Sequence, residues 1–125
     1  MKLYCDSSLT EGCFQFEGEL PVRWTYNPPI ATHNIGEYLA VESALEVARL
    51  LARWKLDVVT DSQLVVGQTT LGWKIKAPHL RSHVERVKNL LVIIESTLRW
   101  VPREENLAGI ELEHRAERTV WRKVE

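Results

Sequence analysis

One helical pattern constrains the fold of this 125-residue chain more than any other feature. Between about residues 36 and 54, apolar side chains recur at helical spacing, which is typical of a helix with one buried face. The stripe consists of Ala40, Val41, Ala44, Leu45, Ala48, Leu51 and Ala52. Strand patterns precede and follow this helix, and two strands that a helical crossover joins are usually parallel.

Short strands are expected on both sides of this helix along the chain. They fall at residues 2–6, 13–17, about 20–26, 56–60 and 97–101. Further helices are expected at about 62–69, from Pro78 onward with a stripe of Leu80, Val84, Val87, Leu91 and Ile94, and at about 106–121. The first three strands form an antiparallel meander, and helices separate the later ones. The sequence therefore predicts an α/β fold with one mixed sheet flanked by helices, as a single domain over residues 1–125.

The composition excludes several classes of protein. Hydrophobic residues make up 45% of the chain and charged residues 26%, as in globular domains. No apolar run reaches the roughly 20 residues that a membrane helix needs, and the first residues lack the apolar core of a signal peptide. We therefore expect a cytoplasmic protein with no membrane partner. Cys5 and Cys13 are expected to be free thiols, with a disulfide as the alternative if both lie in one hairpin.

Three acidic residues occupy positions that the predicted fold brings together. Asp6 ends the first strand, Asp61 follows the strand at 56–60, and Glu37 shares a helix face with Ala40. If these two strands are parallel neighbours, both aspartates lie at the edge where α/β sheets bind ligands. Three converging acids repel one another and normally need a cation, and their oxygens suit Mg²⁺ or Mn²⁺. Such a site supports metal-assisted phosphoryl transfer to water.

Each acid also has an ordinary structural explanation. Asp61 could cap the short helix, Asp6 could brace the turn that follows it, and Glu37 could favour the positive end of its helix. His79 and His83 are one helical turn apart, and we expect them on a solvated helix face rather than on a metal ion.

A local excess of basic residues contrasts with the formal net charge of −1. Residues 73–88 hold five basic residues and one acidic residue, a local charge of +4. This basic segment is either a solvated helix face or a rim that contacts phosphates, with Trp73 against a sugar or base.

The chain also carries a series of motifs in order. The series runs Tyr4-Cys5-Asp6, Asn34-Ile35-Gly36-Glu37-Tyr38, Thr60-Asp61-Ser62-Gln63-Leu64-Val65-Val66, Gly72-Trp73-Lys74 and Trp100-Val101-Pro102-Arg103-Glu104-Glu105-Asn106. It resembles the ribonuclease H type 1 family, particularly the short archaeal-like branch. The resemblance implies a ribonuclease H-like fold, in which a five-stranded mixed sheet has three antiparallel strands and then parallel ones.

The activity that this resemblance implies is endonucleolytic cleavage of the RNA strand of RNA–DNA hybrids. Two Mg²⁺ or Mn²⁺ ions would be held by Asp6, Glu37 and Asp61. Asn34 and Gln63 match the family's contacts to the sugar edge of the hybrid. The other expected substrate contacts are Trp73, Lys74, Lys76, Arg103 and Asn106. We expect a monomer.

The chain departs from the family at its fourth carboxylate. Counting from the family's asparagine places Ile110 there, and Ile110 cannot bind a metal ion. Glu113 and His114 lie about one turn further on and are candidate replacements. A register slip at Gly109 would instead turn Glu111 inward. We therefore expect one of the two ions to bind weakly and cleavage to be reduced, with a preference for Mn²⁺.

Three interpretations stay open from the sequence. The first is a working hybrid-specific ribonuclease, and the second is a catalytically impaired domain of the same fold that binds a hybrid or another nucleic acid. The third is a different nuclease of the same superfamily, such as a resolvase- or transposase-like enzyme. The motifs favour the first.

Overall fold

The computed structural model describes residues 1–113, which form five strands and four helices. The strands are β1 Lys2–Ser7, β2 Glu11–Phe16, β3 Val22–Thr25, β4 Asp57–Thr60 and β5 Thr97–Trp100. The helices are α1 His33–Leu50, α2 Gln63–Thr70, α3 Arg81–Ile93 and α4, which spans 107–113 of the described part. Short 3₁₀ turns precede α3 and α4. The element order matches the predicted order, and the rest of the helix predicted at 106–121 lies outside the described residues.

The five strands form one mixed sheet in the order β3-β2-β1-β4-β5. β2 lies antiparallel to β1 and β3, whereas β4 lies parallel to β1 and β5. Helices connect each parallel pair, because a hairpin turn cannot join two parallel strands. The predicted mixed sheet is confirmed. Cys5 pairs with Thr60, so the residues that follow them, Asp6 and Asp61, lie at the same end of the sheet.

Alternating side chains of β1 divide between two apolar cores. Leu3 and Cys5 face the larger core, to which α1 and α3 contribute, whereas Tyr4 faces a smaller core with Cys13 and Ala108. Cys5 and Cys13 therefore lie on opposite faces of the sheet, and both are free thiols. The alternative of a disulfide between them is wrong for this reason.

The first long helix, α1, begins and ends earlier than the predicted range of 36–54. It begins at His33 because the hydroxyl of Thr32 caps it. It ends at Leu50, and Ala52 then takes a φ of 53°, which turns the chain away from the helix. The earlier residues of the predicted stripe are fully buried, but Leu51 is 53% exposed and Ala52 is also exposed. The prediction is therefore wrong for these last two residues.

The predicted stripe of α3 is buried along its whole length. The prediction that His83 lies on a solvated face is wrong. Its Nδ1 lies 2.8 Å from Oε1 of Glu42, which is buried in α1, and its ring stacks on Tyr38. A buried carboxylate needs a polar partner, and α3 supplies one by placing His83 against it. His79 is exposed, as expected.

Candidate active site

Three carboxylates converge at the end of the sheet where β1 and β4 stop. Oxygens of Asp6, Glu37 and Asp61 all lie within 4.8 Å of one another. Asp6 is the fifth residue of β1, and Asp61 directly follows β4. Glu37 comes from the first turns of α1, across the sheet end from both aspartates. The structure thus brings together the three acids that the sequence singles out.

Gly36 allows α1 to approach β1 closely enough to deliver Glu37. A Cβ at this position would lie 2.6 Å from Oγ of Ser7 and would overlap the end of Ile30. Any other residue would therefore push the start of α1 away from the strand. The glycine before Glu37 is thus a geometric requirement of the cluster.

Burial and mutual repulsion raise the pKa values of two of the carboxylates above their ordinary values. Burial and then the negative charge of Asp61 raise the pKa of Asp6 to about 7. Burial and then the charges of Asp6 and Asp61 raise the pKa of Glu37 to about 9. Arg103 acts in the opposite direction on Asp6, with a smaller effect. The bare cluster therefore favours protons or cations at neutral pH.

The donor set fits a hard divalent cation. Oε2 of Glu37 is buried and has no hydrogen-bond partner among the described residues. A buried carboxylate oxygen without a donor is costly unless a proton or a cation neutralises it. Among residues 1–113 the cluster consists of carboxylates alone, a donor set that suits Mg²⁺ or Mn²⁺. The cleft around them has a volume of about 530 Å³, which leaves room for water and a phosphate group.

The position of the fourth carboxylate is shifted by one residue from the prediction. A Cβ on Gly109 would lie 3.1 Å from Oδ2 of Asp6, so Gly109 and not Ile110 faces the cluster. Ile110 lines a neighbouring cavity that shares Arg103 and Glu113 with the cleft. The sequence contains a signal for this shift. Ala108 directly precedes Gly109, as an alanine precedes the acid in the family pattern, but one residue fewer separates it from Asn106.

The proposed replacements for this carboxylate have different positions. Glu113 lines the same cleft as the three acids and accepts a hydrogen bond of 2.8 Å from Nε of Arg103. Glu111 instead pairs with Arg23 at 2.7 Å, so the predicted inward turn of Glu111 is wrong. His114 lies outside the described residues.

The predicted substrate contacts separate into two places. Asn34, Trp73, Lys74 and Lys76 line a second groove, with a volume of about 430 Å³. Arg103 lines the acidic cleft instead. Gln63 is exposed at the first position of α2, two residues after Asp61. His33 lines the cleft and Asn34 lines the groove, so the two surfaces meet at the start of α1.

The expectation that Asn106 contacts substrate is wrong. Its side chain is fully buried, and its Nδ2 donates a hydrogen bond of 2.8 Å to the carbonyl oxygen of Cys5. This bond ties the segment before α4 to the middle strand of the sheet. Asn106 therefore supports the position of α4 against β1 rather than a ligand.

Two contacts near the sites were not foreseen from the sequence. The indole N–H of Trp100 donates to the backbone carbonyl oxygen of Asp61 at 3.1 Å, which fixes the chain just after β4. The ring of Trp73 packs directly against Gly67 of α2, where a Cβ would overlap it. The sequence predicts neither contact, because each tryptophan meets a backbone group and no pattern of side chains marks such a partner.

Comparisons with known proteins agree with this architecture. A family described as reverse transcriptase-like matches residues 17–116. The structure is similar to that of RNase H1 from the halophilic archaeon Halobacterium salinarum, with 26% identity, a TM-score of 0.74, and coverage of 89% of this chain and 92% of that one. It is also similar to the N-terminal RNase H domain of a Mycobacterium tuberculosis protein, with 22% identity, a TM-score of 0.75 and coverage of 89% and 93%.

A third similar structure is LC11-RNase H1 in complex with an RNA/DNA hybrid. The identity is 20%, the TM-score is 0.68, and the match covers 84% of this chain and 87% of that one. At 20% identity, this similarity is evidence for a shared fold only. Within residues 1–113, no helix is both long and apolar enough to cross a membrane.

Proposed function

Because the chain belongs to the ribonuclease H type 1 family, within the reverse transcriptase-like group, we propose that it cleaves the RNA strand of RNA–DNA hybrids with divalent metal ions. The observation that carries the proposal is the convergence of three carboxylates within 4.8 Å, one of which has a buried oxygen with no hydrogen-bond partner in the described part of the chain. The hybrid bound to LC11-RNase H1, a protein of the same fold, supports this substrate class.

The three carboxylates hold the metal ions in this proposal. Ions held by Asp6, Glu37 and Asp61 would supply an activated water and would stabilise the leaving 3′-oxygen, and the products would carry a 5′-phosphate. The contribution of the chain is position. β1 and β4 fix Asp6 and Asp61, the close approach at Gly36 fixes Glu37, and Trp100 holds the backbone of Asp61.

Glu113 takes the role of the fourth carboxylate in this account. It lies one helical turn after Gly109, on the same side of α4, and its side chain is long enough to compensate for part of that turn. Arg103 holds it at the edge of the cleft. To bind a metal ion, Glu113 must break its ion pair with Arg103, so it binds the ion less strongly than an unpaired carboxylate would. One of the two ions would therefore be held weakly. Activity is therefore lower than that of a site with four dedicated carboxylates, and Mn²⁺ is preferred to Mg²⁺.

The groove that adjoins the cleft holds the nucleic acid. Asn34 and Gln63 lie at the beginnings of α1 and α2, beside the acids, where they contact the sugars of the hybrid. The 2′-hydroxyl is the group that distinguishes RNA from DNA at such a position. Lys74 and Lys76 contact phosphates, and the half-exposed ring of Trp73 packs against a sugar or base.

The proposal is tested by cleavage of end-labelled substrates with Mg²⁺ and with Mn²⁺. The substrates are an RNA–DNA hybrid, duplex RNA, duplex DNA and a four-way DNA junction. We expect cleavage of the hybrid alone, within its RNA strand. Asp61→Asn should abolish it, whereas Asp57→Asn, which alters a surface pair with Arg99 between β4 and β5, should retain it. Cleavage of the junction or of duplex DNA would contradict the proposal.

A binding domain without catalysis is the second candidate, and Gly109 is the observation that favours it. A glycine at the fourth position removes one carboxylate from the site. In that case the wild-type protein would bind the hybrid but yield no metal-dependent product that disappears with Asp61→Asn.

A further inference from the structure

The groove beside the acidic cleft contains a largely buried amide whose hydrogens have no acceptor within residues 1–113. Gln68 of α2 is only 6% exposed and lines this groove. Its Oε1 accepts a hydrogen bond of 2.7 Å from the hydroxyl of Tyr38. Within the described part of the chain, its Nε2 has no protein partner.

The tyrosine determines which end of the amide faces the groove. Tyr38 is fully buried, and Oε1 of Gln68 is the acceptor for its hydroxyl proton. If the amide were reversed, the hydroxyl proton would be left without an acceptor, which is costly in a buried place. The Nε2 group of Gln68 therefore faces the groove with its two N–H donors.

Tyr38 is in turn held by the helix on its other side. Its ring stacks on His83 of α3 with a centroid distance of 5.9 Å. His83 is bound through Nδ1 to the buried Glu42, one turn along α1 from Tyr38. Three helices thus fix the position of the Tyr38 hydroxyl, and through it the orientation of the amide.

The groove presents donors, positive charge and one aromatic face. Lys74 and Lys76 contribute two ammonium groups, which can only donate hydrogen bonds, and Trp73 contributes a half-exposed indole ring. Gln68 adds an uncharged donor whose orientation is set by Tyr38. This combination fits a phosphodiester oxygen whose neighbouring sugar or base packs on the ring.

We propose that Gln68, oriented by Tyr38, donates a hydrogen bond to a backbone phosphate of the nucleic acid that lies in this groove. The inference rests on the proposed function and adds to it a residue for substrate binding. The groove adjoins the cleft at the start of α1, so a strand held here continues toward the carboxylates. Gln68 acts in binding, and the reacting atoms lie elsewhere.

The test compares the affinity of a fluorescently labelled RNA–DNA hybrid for several variants, by anisotropy with Ca²⁺ in place of Mg²⁺. We expect Gln68→Leu to raise the Kd about tenfold, because a donor to a charged group is lost. Tyr38→Phe should raise it by a smaller factor, because the amide then rotates freely. Gln15→Leu makes the same change at a glutamine that does not line the groove, and its Kd should equal that of the wild type.

The salt dependence of the Kd distinguishes a neutral hydrogen bond to phosphate from a charged contact. A neutral amide releases no counterion, so Gln68→Leu should leave the slope of log Kd against log salt unchanged. In cleavage with Mg²⁺, KM should rise and kcat should stay constant. Because Gln68→Leu leaves the buried Tyr38 hydroxyl without an acceptor, the double variant Tyr38→Phe/Gln68→Leu guards against a loss of folding. It should bind as weakly as Gln68→Leu.

Three results would overturn the inference or locate the failure elsewhere. A Kd within twofold of the wild type for the double variant, with a normal thermal unfolding curve, rejects the role of Gln68. A fall in kcat and thermal stability at constant Kd shows a purely structural role and also rejects it. If the wild type neither binds nor cleaves hybrid, the proposed function fails. The same variants are then titrated with single-stranded DNA, and equal affinities there reject the phosphate contact as well.

Discussion

At the scale of single residues, Oε2 of Glu37, which is buried and has no hydrogen-bond partner within residues 1–113, distinguishes this cluster from a set of surface acids. The oxygen is buried among two further carboxylates. In the metal-free protein these carboxylates either stay protonated or repel one another as anions, and a bound cation neutralises that repulsion. The stability of the metal-free protein therefore depends on pH in a direction opposite to that of ordinary salt-bridged acids.

The pH dependence of stability follows from the raised pKa values of Asp6 and Glu37. Their folded pKa values of about 7 and about 9 exceed the ordinary values of 3.8 and 4.5. In this window the folded state binds more protons than the unfolded state, so stability falls as pH rises. From about pH 5 to about pH 9 we expect a loss of at least about 1.4 kcal/mol, the equivalent of one pKa unit. Denaturant titrations in a chelating buffer measure it.

Saturating Mg²⁺ provides the control for this pH dependence. It should flatten the dependence, since the ions replace the protons. Stability that stays constant or rises over this range without metal would contradict the assignment of raised pKa values.

The fourth position supplies a prediction about activity. Gly109→Asp places a carboxylate beside Asp6, because a Cβ on residue 109 would point toward the Asp6 carboxylate. With Mg²⁺ present we expect faster hybrid cleavage than in the wild type, by about tenfold, since even residues that only support a metal ligand change metal affinity or activity by about 10- to 100-fold. Glu113→Gln should lower activity and reduce the affinity for the weaker ion. Steady-state kinetics over a range of Mg²⁺ concentrations measures both.

A control at the neighbouring acid accompanies these variants. Glu111→Gln removes a carboxylate that pairs with Arg23 away from the cleft, so its metal dependence should equal that of the wild type. An inactive Gly109→Asp variant with normal folding would show that the vacant position is not a metal-ligand position.

At the scale of elements, the packing of Trp73 on α2 determines the shape of the groove. The contact requires Gly67, because a side chain there would overlap the ring. Gly67→Ala should favour the helix by about 1 kcal/mol through propensity alone. We nevertheless expect weaker hybrid binding, with KM raised several-fold, because the displaced indole no longer lines the groove. Hybrid-cleavage kinetics measures KM, and Mn²⁺ binding at the cleft should stay unchanged.

The exposed Thr70 provides a matched control for this prediction. Thr70→Ala is another change to alanine in α2, at a residue that does not line the groove. An increase in KM of the same size for Thr70→Ala would indicate a general disturbance of the helix and contradict the specific role of Gly67.

Periodic elements could be predicted from the sequence, and contacts between them could not. The stripes of α1 and α3 and the order of the strands follow from local patterns, and so does the convergence of Asp6, Glu37 and Asp61. The partner of His83 is a carboxylate buried 41 residues away, which no local pattern reveals. The role of Asn106 cannot be predicted, because the sequence does not distinguish a polar loop residue that is exposed from one that is buried and bonded to a strand. The shift to Gly109 depends on a spacing from Asn106 to Ala108 that is one residue shorter than in the family pattern.

At the scale of the whole molecule, the small net charge conceals two surfaces of opposite sign. The net charge is −1, yet residues 73–88 carry +4 and the cleft gathers buried carboxylates. The bare cleft repels a phosphate, and the groove attracts one. A nucleic acid therefore engages both surfaces only when cations occupy the cleft.

This division predicts how salt affects binding. Lys74→Gln together with Lys76→Gln should weaken hybrid binding and flatten the slope of log Kd against log salt by about 2, one for each lost phosphate contact. In cleavage, KM should rise more than kcat falls. Arg99→Gln removes a positive charge that is paired with Asp57 outside the groove, so it should leave the slope nearly unchanged. An unchanged slope in the double lysine variant would show that the basic segment is only a solvated face.

The central claim is that Asp6, Glu37 and Asp61 form a divalent metal site, and a calorimetric titration with Mn²⁺ tests it most directly. For the wild type we predict one tightly bound ion and a second that binds more weakly. Asp61→Asn should lose the tight site, while Asp57→Asn should titrate as the wild type does. Equal Mn²⁺ binding by Asp61→Asn and the wild type, with both proteins folded, would contradict the account.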